Sequence, residues 1–360
     1  MATSSLRDLL VPLYRPHLPA FFDALAPVET RATCASCAMA PPPGMVPVGS
    51  QAYFRPDVKC CSYQPYLPNY AVGALLADPD PALDEGRRRI RGLLAERRGV
   101  LPEGVAPSSR YQVLFDASRR RSFGRSLVLR CPYYAAEDGL CTIWRYRGAV
   151  CSTFFCKFDA GADGEAFWER LQRYVLHVER SLLHYARSQV APELPAGSLV
   201  QEQLTPEELE DRSPATDTYA ELWGDWVGRE EEFYRRCYEL VQGLDTAEFG
   251  RVLGEEAAES LEALVAAHAR ATTDRLPEVL VLNPDLDLQP APEGAVACGY
   301  RTYDPLFLSD ALLEVIRTLR PDETLAAAKA RLAADEIELP EELWLLLYRQ
   351  RVLVDPTAPT

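Results

Sequence analysis

Apolar positions recur at three- and four-residue spacing through much of this chain, which predicts a mainly helical protein. Trp168, Leu171, Val175, Val178, Leu182 and Tyr185 mark one amphipathic helix, with Asp163 as its cap. Leu222, Trp226, Phe233, Cys237 and Leu240 predict a second helix from Thr218 to Leu244. Phe249, Leu253, Leu261, Leu264 and Val265 predict a third from about Asp245 to Arg275. Earlier, Leu9, Leu10, Leu13, Phe21, Phe22 and Leu25 suit a short helical lead-in, a short helix fits around Val72 to Leu76, and Ile90, Leu93 and Leu94 lie on one side of another. RYQVLFDA and SLVLRC, rich in Val, Leu and Phe, are strand candidates.

From Pro277 the pattern changes. VLVLNP and GAVACGYRTYD suit strands. Three helical patterns follow, with caps at Ser309 and Asp322, and a short strand ends the chain. The Pro-rich stretches APPPGMVPVGS and APELPAG punctuate the sequence. These features predict an α+β, predominantly helical protein: a Cys-rich metal-binding domain over 1–160, a helical region over 161–276 and a winged-helix-like domain over 277–360.

Composition narrows the function. A net charge of −15 argues against a nucleic-acid partner. No run approaches the eighteen apolar residues of a membrane helix, and the first residues lack a signal-peptide pattern, so a cytoplasmic protein is expected. No phosphate loop, no G-x-G-x-x-G opening a helix, no G-x-S-x-G and no C-x3-C-x2-C is present. ATPase, Rossmann, standard hydrolase and ordinary radical S-adenosylmethionine readings are therefore disfavoured.

The chemistry concentrates in cysteine. Eight of ten cysteines fall in two groups: Cys34, Cys37, Cys60 and Cys61, then Cys131, Cys141, Cys151 and Cys156. Disulfides do not persist in the cytoplasm, whereas thiolates are ligands for zinc and iron–sulfur clusters. A C-x2-C loop lets two sulfurs reach one centre. Adjacent Cys60 and Cys61 diverge, which suits a multi-iron cluster, or two nearby sites, better than one zinc ion. One or two [4Fe-4S] clusters are expected, with zinc as the alternative. Cys237 and Cys298 stand alone and read as buried.

CPYYAAEDGLCTIWRYRGAVC resembles the signature of the bacterial YkgJ-like family of zinc- or iron-chelating CxxCxxCC proteins. Cys131–Pro132 matches the family's C-P dipeptide. Cys141, Ile143, Arg147 and Cys151 match its C-x-I-Y-x-x-R-P-x-x-C segment, with Trp144 in the aromatic place and Gly148 where the family has Pro. Cys34, Cys37, Cys60 and Cys61 resemble the CxxCxxCC motif with its second gap stretched to 22 residues. The resemblance spans residues 34 to 156 and implies a cysteine-bound metal centre with Arg147 beside it. One branch of the family includes flagellin lysine N-methylases, so an S-adenosylmethionine-dependent protein lysine methylase is a further alternative. The segment from Tyr303 to Val354 is similar in pattern to the small PqqD-like winged-helix domains that hold leader peptides, which implies a peptide or protein substrate held by the C-terminal region.

Charge adds detail around the cysteines. Between Glu85 and Arg130 there are twelve Arg against four acids, although the chain as a whole is acidic. Such cations can stabilise an anionic cluster, receive an acidic partner or simply form a solvated helix face; the last suits Arg87 to Arg98. Lys59 and Lys157 each abut a ligand cysteine. His177 and His184 stand two turns apart on one helix, roughly 10 Å, too far to chelate one ion together, but either could act as a general base or supply a further ligand near the cluster. Glu179 and Glu230 to Glu232 read as solvated, and the Trp223, Trp226, Phe233 and Tyr234 stripe as core. The expected function is an iron–sulfur protein that is redox-active or modifies a peptide or protein; the alternative is a structural or sensory metal protein that binds a partner.

Overall fold

The computed structural model describes residues 5–30, 34, 37–41, 53–194 and 206–357. The Pro/Gly loop expected at 40–50 lies mostly outside them, and the Pro-rich break expected at 191–197 lies partly outside them. The chain is α+β and predominantly helical. Among the described residues no helix is long and apolar enough to cross a membrane.

Two compact units form, and they are not three successive blocks. The first gathers Met1–Ala26, Cys34–Phe154 and Leu171–Glu262; the second gathers Pro27–Thr33, Phe155–Arg170 and Ala263–Thr360. Residues 171–262, expected as part of a separate helical region, thus share a core with the cysteine-bearing segments.

The reason is local to one helix pair. Helix Asn69–Ala77 (NYAVGALLA) buries every residue except the last, so it suits only an interior position. Helix Glu230–Gln242 packs on it at backbone distance: a Cβ on Gly73 would lie 1.9 Å from the Tyr234 carbonyl oxygen. A small sheet flanks the pair, with Gly104–Val105 central between Leu67–Pro68 and Val100–Leu101. Tyr234 donates its hydroxyl to Leu101 O at 2.7 Å, and Trp223 Nε1 donates to Val100 O at 3.2 Å. Trp223, Phe233, Tyr234 and Cys237 are fully buried, as their spacing predicts.

Several boundaries differ from expectation. RYQVLFDA is helical, within Ser109–Ser122, because Ser108 caps it by accepting the Tyr111 N–H and Tyr111 stacks on Phe115 one turn on. The Leu and Val of SLVLRC form a 3-10 turn at Leu127–Leu129 instead of a strand. The helix expected over 218–244 breaks between Thr216–Trp223 and Glu230–Gln242, where Gly224 and Gly228 adopt φ of 49° and 79°. The next one breaks at Gly254, giving Thr246–Leu253 and Glu256–Ala271; the first of these starts in a capping box between Asp245 and Glu248. The first amphipathic helix runs from Gly161 to Val190.

The second unit carries an antiparallel sheet with Gly294–Cys298 between Asp287–Ala291 and Leu306–Ser309. Helices Asp310–Arg317, Leu325–Ala334 and Glu341–Arg349 follow, and Leu353–Val354 pairs back with Val281–Leu282. Leu308, Ile316, Leu332, Trp344 and Leu347 lie in its core. Ser309 caps the first of these helices, but Thr324, not Asp322, caps the second. Elsewhere in this unit Glu29 is buried and accepts the Trp168 indole N–H at 2.7 Å.

The helix contact at Gly73 has a test with a decided sign. In an isolated helix Gly→Ala gains about 1 kcal/mol. Here the added methyl forces the two backbones apart, at a cost of about 1–3 kcal/mol. Gly73→Ala is expected to lower the denaturant midpoint; a raised midpoint contradicts the close packing.

Candidate metal centre

Two segments distant in sequence are tied together by backbone and side-chain hydrogen bonds. The N–H of Cys131 donates to the carbonyl of Cys61 at 2.7 Å, which joins the two cysteine groups directly. Lys59 reaches further. Its ammonium donates to Cys34 O at 2.9 Å and to Gly139 O at 3.1 Å, and its backbone sits at φ 53°. Tyr111 donates to Ser62 O at 2.7 Å and accepts the Gln64 N–H at 2.8 Å. Arg89 donates to the carbonyls of Pro132 and Tyr134 at 2.5 and 2.8 Å. Cys141 lies on a short hairpin, Tyr134–Ala135 with Leu140–Cys141, and Cys151 on helix Ala149–Thr153.

Seven of the eight expected cysteines share the first unit and form one electrostatically connected set. Cys34 feels Cys60 and Cys37; Cys141 feels Cys34 and Cys60; Cys151 feels Cys141 and Cys60; Cys131 feels Cys151 and Cys141; and Cys60 is hydrogen-bonded to Cys61. Burial is the leading cause that raises the thiols of Cys34, Cys37, Cys131, Cys141 and Cys151; for Cys60 the hydrogen bond with Cys61 comes first. Thiols held neutral in this way are poor nucleophiles at neutral pH. Among the described residues, no three His, Cys, Asp or Glu side chains are gathered closely enough to hold a metal ion as they stand.

Arg147 is the cation at the middle of this set. Burial lowers its pKa, while Cys34, Cys141, Cys151 and Cys60 push it back up. Its guanidinium lies 3.4 Å from the centroid of the Trp144 ring. No carboxylate pairs with it among the described residues. The other arginines nearby differ: Arg88 and Arg89 pair with Glu85 at 2.5 and 2.6 Å, Arg91 with Glu231 at 3.1 Å, and Arg98 with Asp211 at 2.9 Å. Arg87 to Arg91 thus form a salt-bridged helix face, and Arg98, just past the helix end, is paired as well.

The remaining sequence candidates stand elsewhere. Cys156 is buried in the second unit, where neighbouring Lys157 lies 3.7 Å from Asp304. His177 bonds Leu253 O through Nε2 at 2.7 Å and approaches Glu256 at 3.5 Å, which ties its helix to Thr246–Leu253 and Glu256–Ala271. His184 is surrounded by Glu103, Arg180 and Arg187, and burial lowers its pKa. Neither imidazole is among the groups that couple to the cysteines.

Two acids expected in solvent are buried. Glu230 accepts the Tyr219 hydroxyl at 3.0 Å and the Gly228 N–H at 2.9 Å. Glu179 accepts the N–H of Ala149, two residues before Cys151, at 2.8 Å, and burial raises its pKa to about 8. Once ionised, its charge is felt by Cys151, Tyr63, Tyr66 and Tyr70. The signal for it was available: Glu179 follows Val178 and precedes Leu182 on the apolar stripe, where a charged side chain must be partnered or neutral.

Glu179 predicts a pH dependence. Its carboxyl titrates near 8 in the folded chain and near 4.3 in the unfolded chain. Below both values each state holds the proton and the stabilising contribution is complete. Between them only the folded state holds it, so stability falls as pH rises and the contribution is lost on passing pH 8, at about 1.4 kcal/mol per pH unit. Glu179→Gln removes this slope. Denaturant unfolding at pH 5 and pH 8 is expected to show the variant gaining on the native chain by a few kcal/mol; parallel curves contradict the burial of an unpaired carboxyl.

No known protein family, characterised protein or solved structure matches this chain, so its chemistry has to be read from its own residues.

Proposed function

We propose that the chain is a cysteine-ligated iron–sulfur protein whose centre draws on Cys34, Cys37, Cys60, Cys61, Cys131, Cys141 and Cys151, and that it is redox-active or modifies a peptide or protein. One observation carries this reading: the Arg147 guanidinium feels the field of four thiols, and among the described residues no carboxylate pairs with it. A partly buried cation is costly unless an anion accompanies it. The groups that act on it most strongly and can supply negative charge are sulfurs, and burial keeps those protonated unless a metal takes the proton's place.

The donor set fits a soft metal or cluster and suits calcium or magnesium poorly. The thiols stand apart from ligating distance, so the proposal includes their drawing together on loading, with Lys59 holding the Cys34 segment and the Gly139 turn in register. An iron–sulfur centre supplies electron transfer or Lewis acidity when bound; the chain supplies Arg147 as a countercharge and a buried surround that excludes water. The C-terminal sheet and three helices keep the strand-then-helix order of a winged-helix-like domain, which supports a role in holding a peptide or protein substrate.

The test is ligand substitution in the anaerobically purified full chain. Cys60→Ser, Cys141→Ser and Cys151→Ser are each expected to lose at least half of the bound iron, while Cys237→Ser, buried in a helix outside the set, keeps it. Arg147→Met is expected to retain iron and lower the reduction potential, because a neighbouring positive charge favours the reduced state. Equal iron content in all four cysteine variants overturns the assignment.

A further inference from the structure

We propose that the cleft beside Cys141 binds a short basic peptide segment that also carries large apolar side chains, and so presents it to the cysteine centre. The presentation rests on the reading of that centre given above; the binding stands on the cleft alone.

The cleft has a volume of about 730 Å³, within the usual range of ligand sites. Cys141 and Thr142 lie in its wall, with the hairpin residues Ala135, Glu137, Asp138 and Leu140 beside them and helix Asp84–Glu96 contributing Glu85, Arg88 and Arg89. Cys141 is the one member of the cysteine set that lines it. Two large apolar side chains are exposed there, Leu140 at 44% and Trp144 at 50%. Arg147 lies over the Trp144 ring. That contact fixes the indole and leaves its exposed part available.

Charge decides what the cleft accepts. Each of its arginines already has a carboxylate partner: Arg88 and Arg89 share Glu85, and Arg145 is held by Asp78 and Asp80 at 2.7 and 2.6 Å. Glu137 and Asp138 form no ion pair among the described residues, although Asp138 accepts the Leu140 N–H at 3.0 Å. Arg88, Arg89, Arg145 and Arg147 stand against Glu85, Asp78, Asp80, Glu137 and Asp138, so the balance at the cleft is negative, as is the chain's net charge of −15. A lysine or arginine side chain meets these two carboxylates while a neighbouring apolar residue covers Leu140 and Trp144. An acidic peptide or a nucleic acid meets arginines that already have carboxylate partners, and Arg147, which is covered by the Trp144 ring. The wall is also preorganised. The hairpin turn passes through Gly139 at φ 69°, whose carbonyl accepts from Lys59, so little ordering is needed on binding.

The experiment is fluorescence anisotropy with a labelled octapeptide of alternating Leu and Lys, compared with its Leu–Glu counterpart, on the full chain with its metal content measured in the same sample. The Leu–Lys peptide is expected to bind at least tenfold more tightly than the Leu–Glu peptide. Glu137→Lys is expected to weaken Leu–Lys binding about fivefold, as reversal of one exposed charge does. Trp144→Ala is expected to weaken it as well. Glu255→Lys makes the same charge change at an exposed position outside the cleft and is expected to leave binding unchanged. Equal affinity for the two peptides, or equal effects of Glu137→Lys and Glu255→Lys, overturns the proposal. Metal-loaded protein that fails to discriminate sinks the cleft proposal alone. Metal-free protein that discriminates keeps the peptide site and removes the cluster.

Discussion

The hydrogen bond from the Cys131 N–H to the Cys61 carbonyl is the constraint on which the site depends. It joins two chain segments seventy residues apart at the positions that carry their cysteines. Without it the two groups of thiols belong to separate loops. Lys59, next to Cys60, extends the tie to Cys34 and to the Gly139 turn, and its left-handed backbone conformation is the local cost of aiming one ammonium at two carbonyls. Arg89 does the same from its helix, holding the strand that follows Cys131. Basic side chains here act first as clamps on main-chain carbonyls.

Burial and charge then act in opposite directions on the sulfurs. The interior built by the Asn69–Ala77 and Glu230–Gln242 helices raises the cost of any uncompensated ion near the cysteines. Most of the thiols respond by staying protonated. Glu179 responds likewise, with its carboxyl neutral up to about pH 8. Arg147 cannot lose its proton at any ordinary pH, so it is the fixed positive charge around which the other groups adjust. A positive centre facing neutral thiols is the imbalance that the proposed metal centre would relieve.

Helix content, the core stripe around Trp223 and Phe233, and the C-terminal order of strands and helices were legible in the sequence because each follows from hydrophobic spacing. The cysteine spacing was legible too, but that Cys61 and Cys131 meet was not. What could not be read was which distant segments share a core. Nothing in the spacing of residues 171–262 announces that Gly73 lets Tyr234 approach to backbone distance. The sequence pattern also misplaced RYQVLFDA, where Ser108 capping and the Tyr111–Phe115 stack outweigh strand-forming residues. Glycines at 224, 228 and 254 divided helices that periodicity alone ran together. His177 looked chemically available, and only the folded chain shows it engaged with Leu253. Lys59 was singled out for standing beside Cys60, but its clamp on two carbonyls depends on tertiary structure.

The central claim is that these cysteines hold an iron–sulfur centre. It is tested most directly by measuring iron, zinc and acid-labile sulfide in the full chain purified without oxygen, with the visible spectrum of the same sample. The account predicts iron and sulfide in equal amounts, about four of each per cluster, with a broad absorption band that bleaches on reduction. Zinc without sulfide, in a colourless protein, contradicts it.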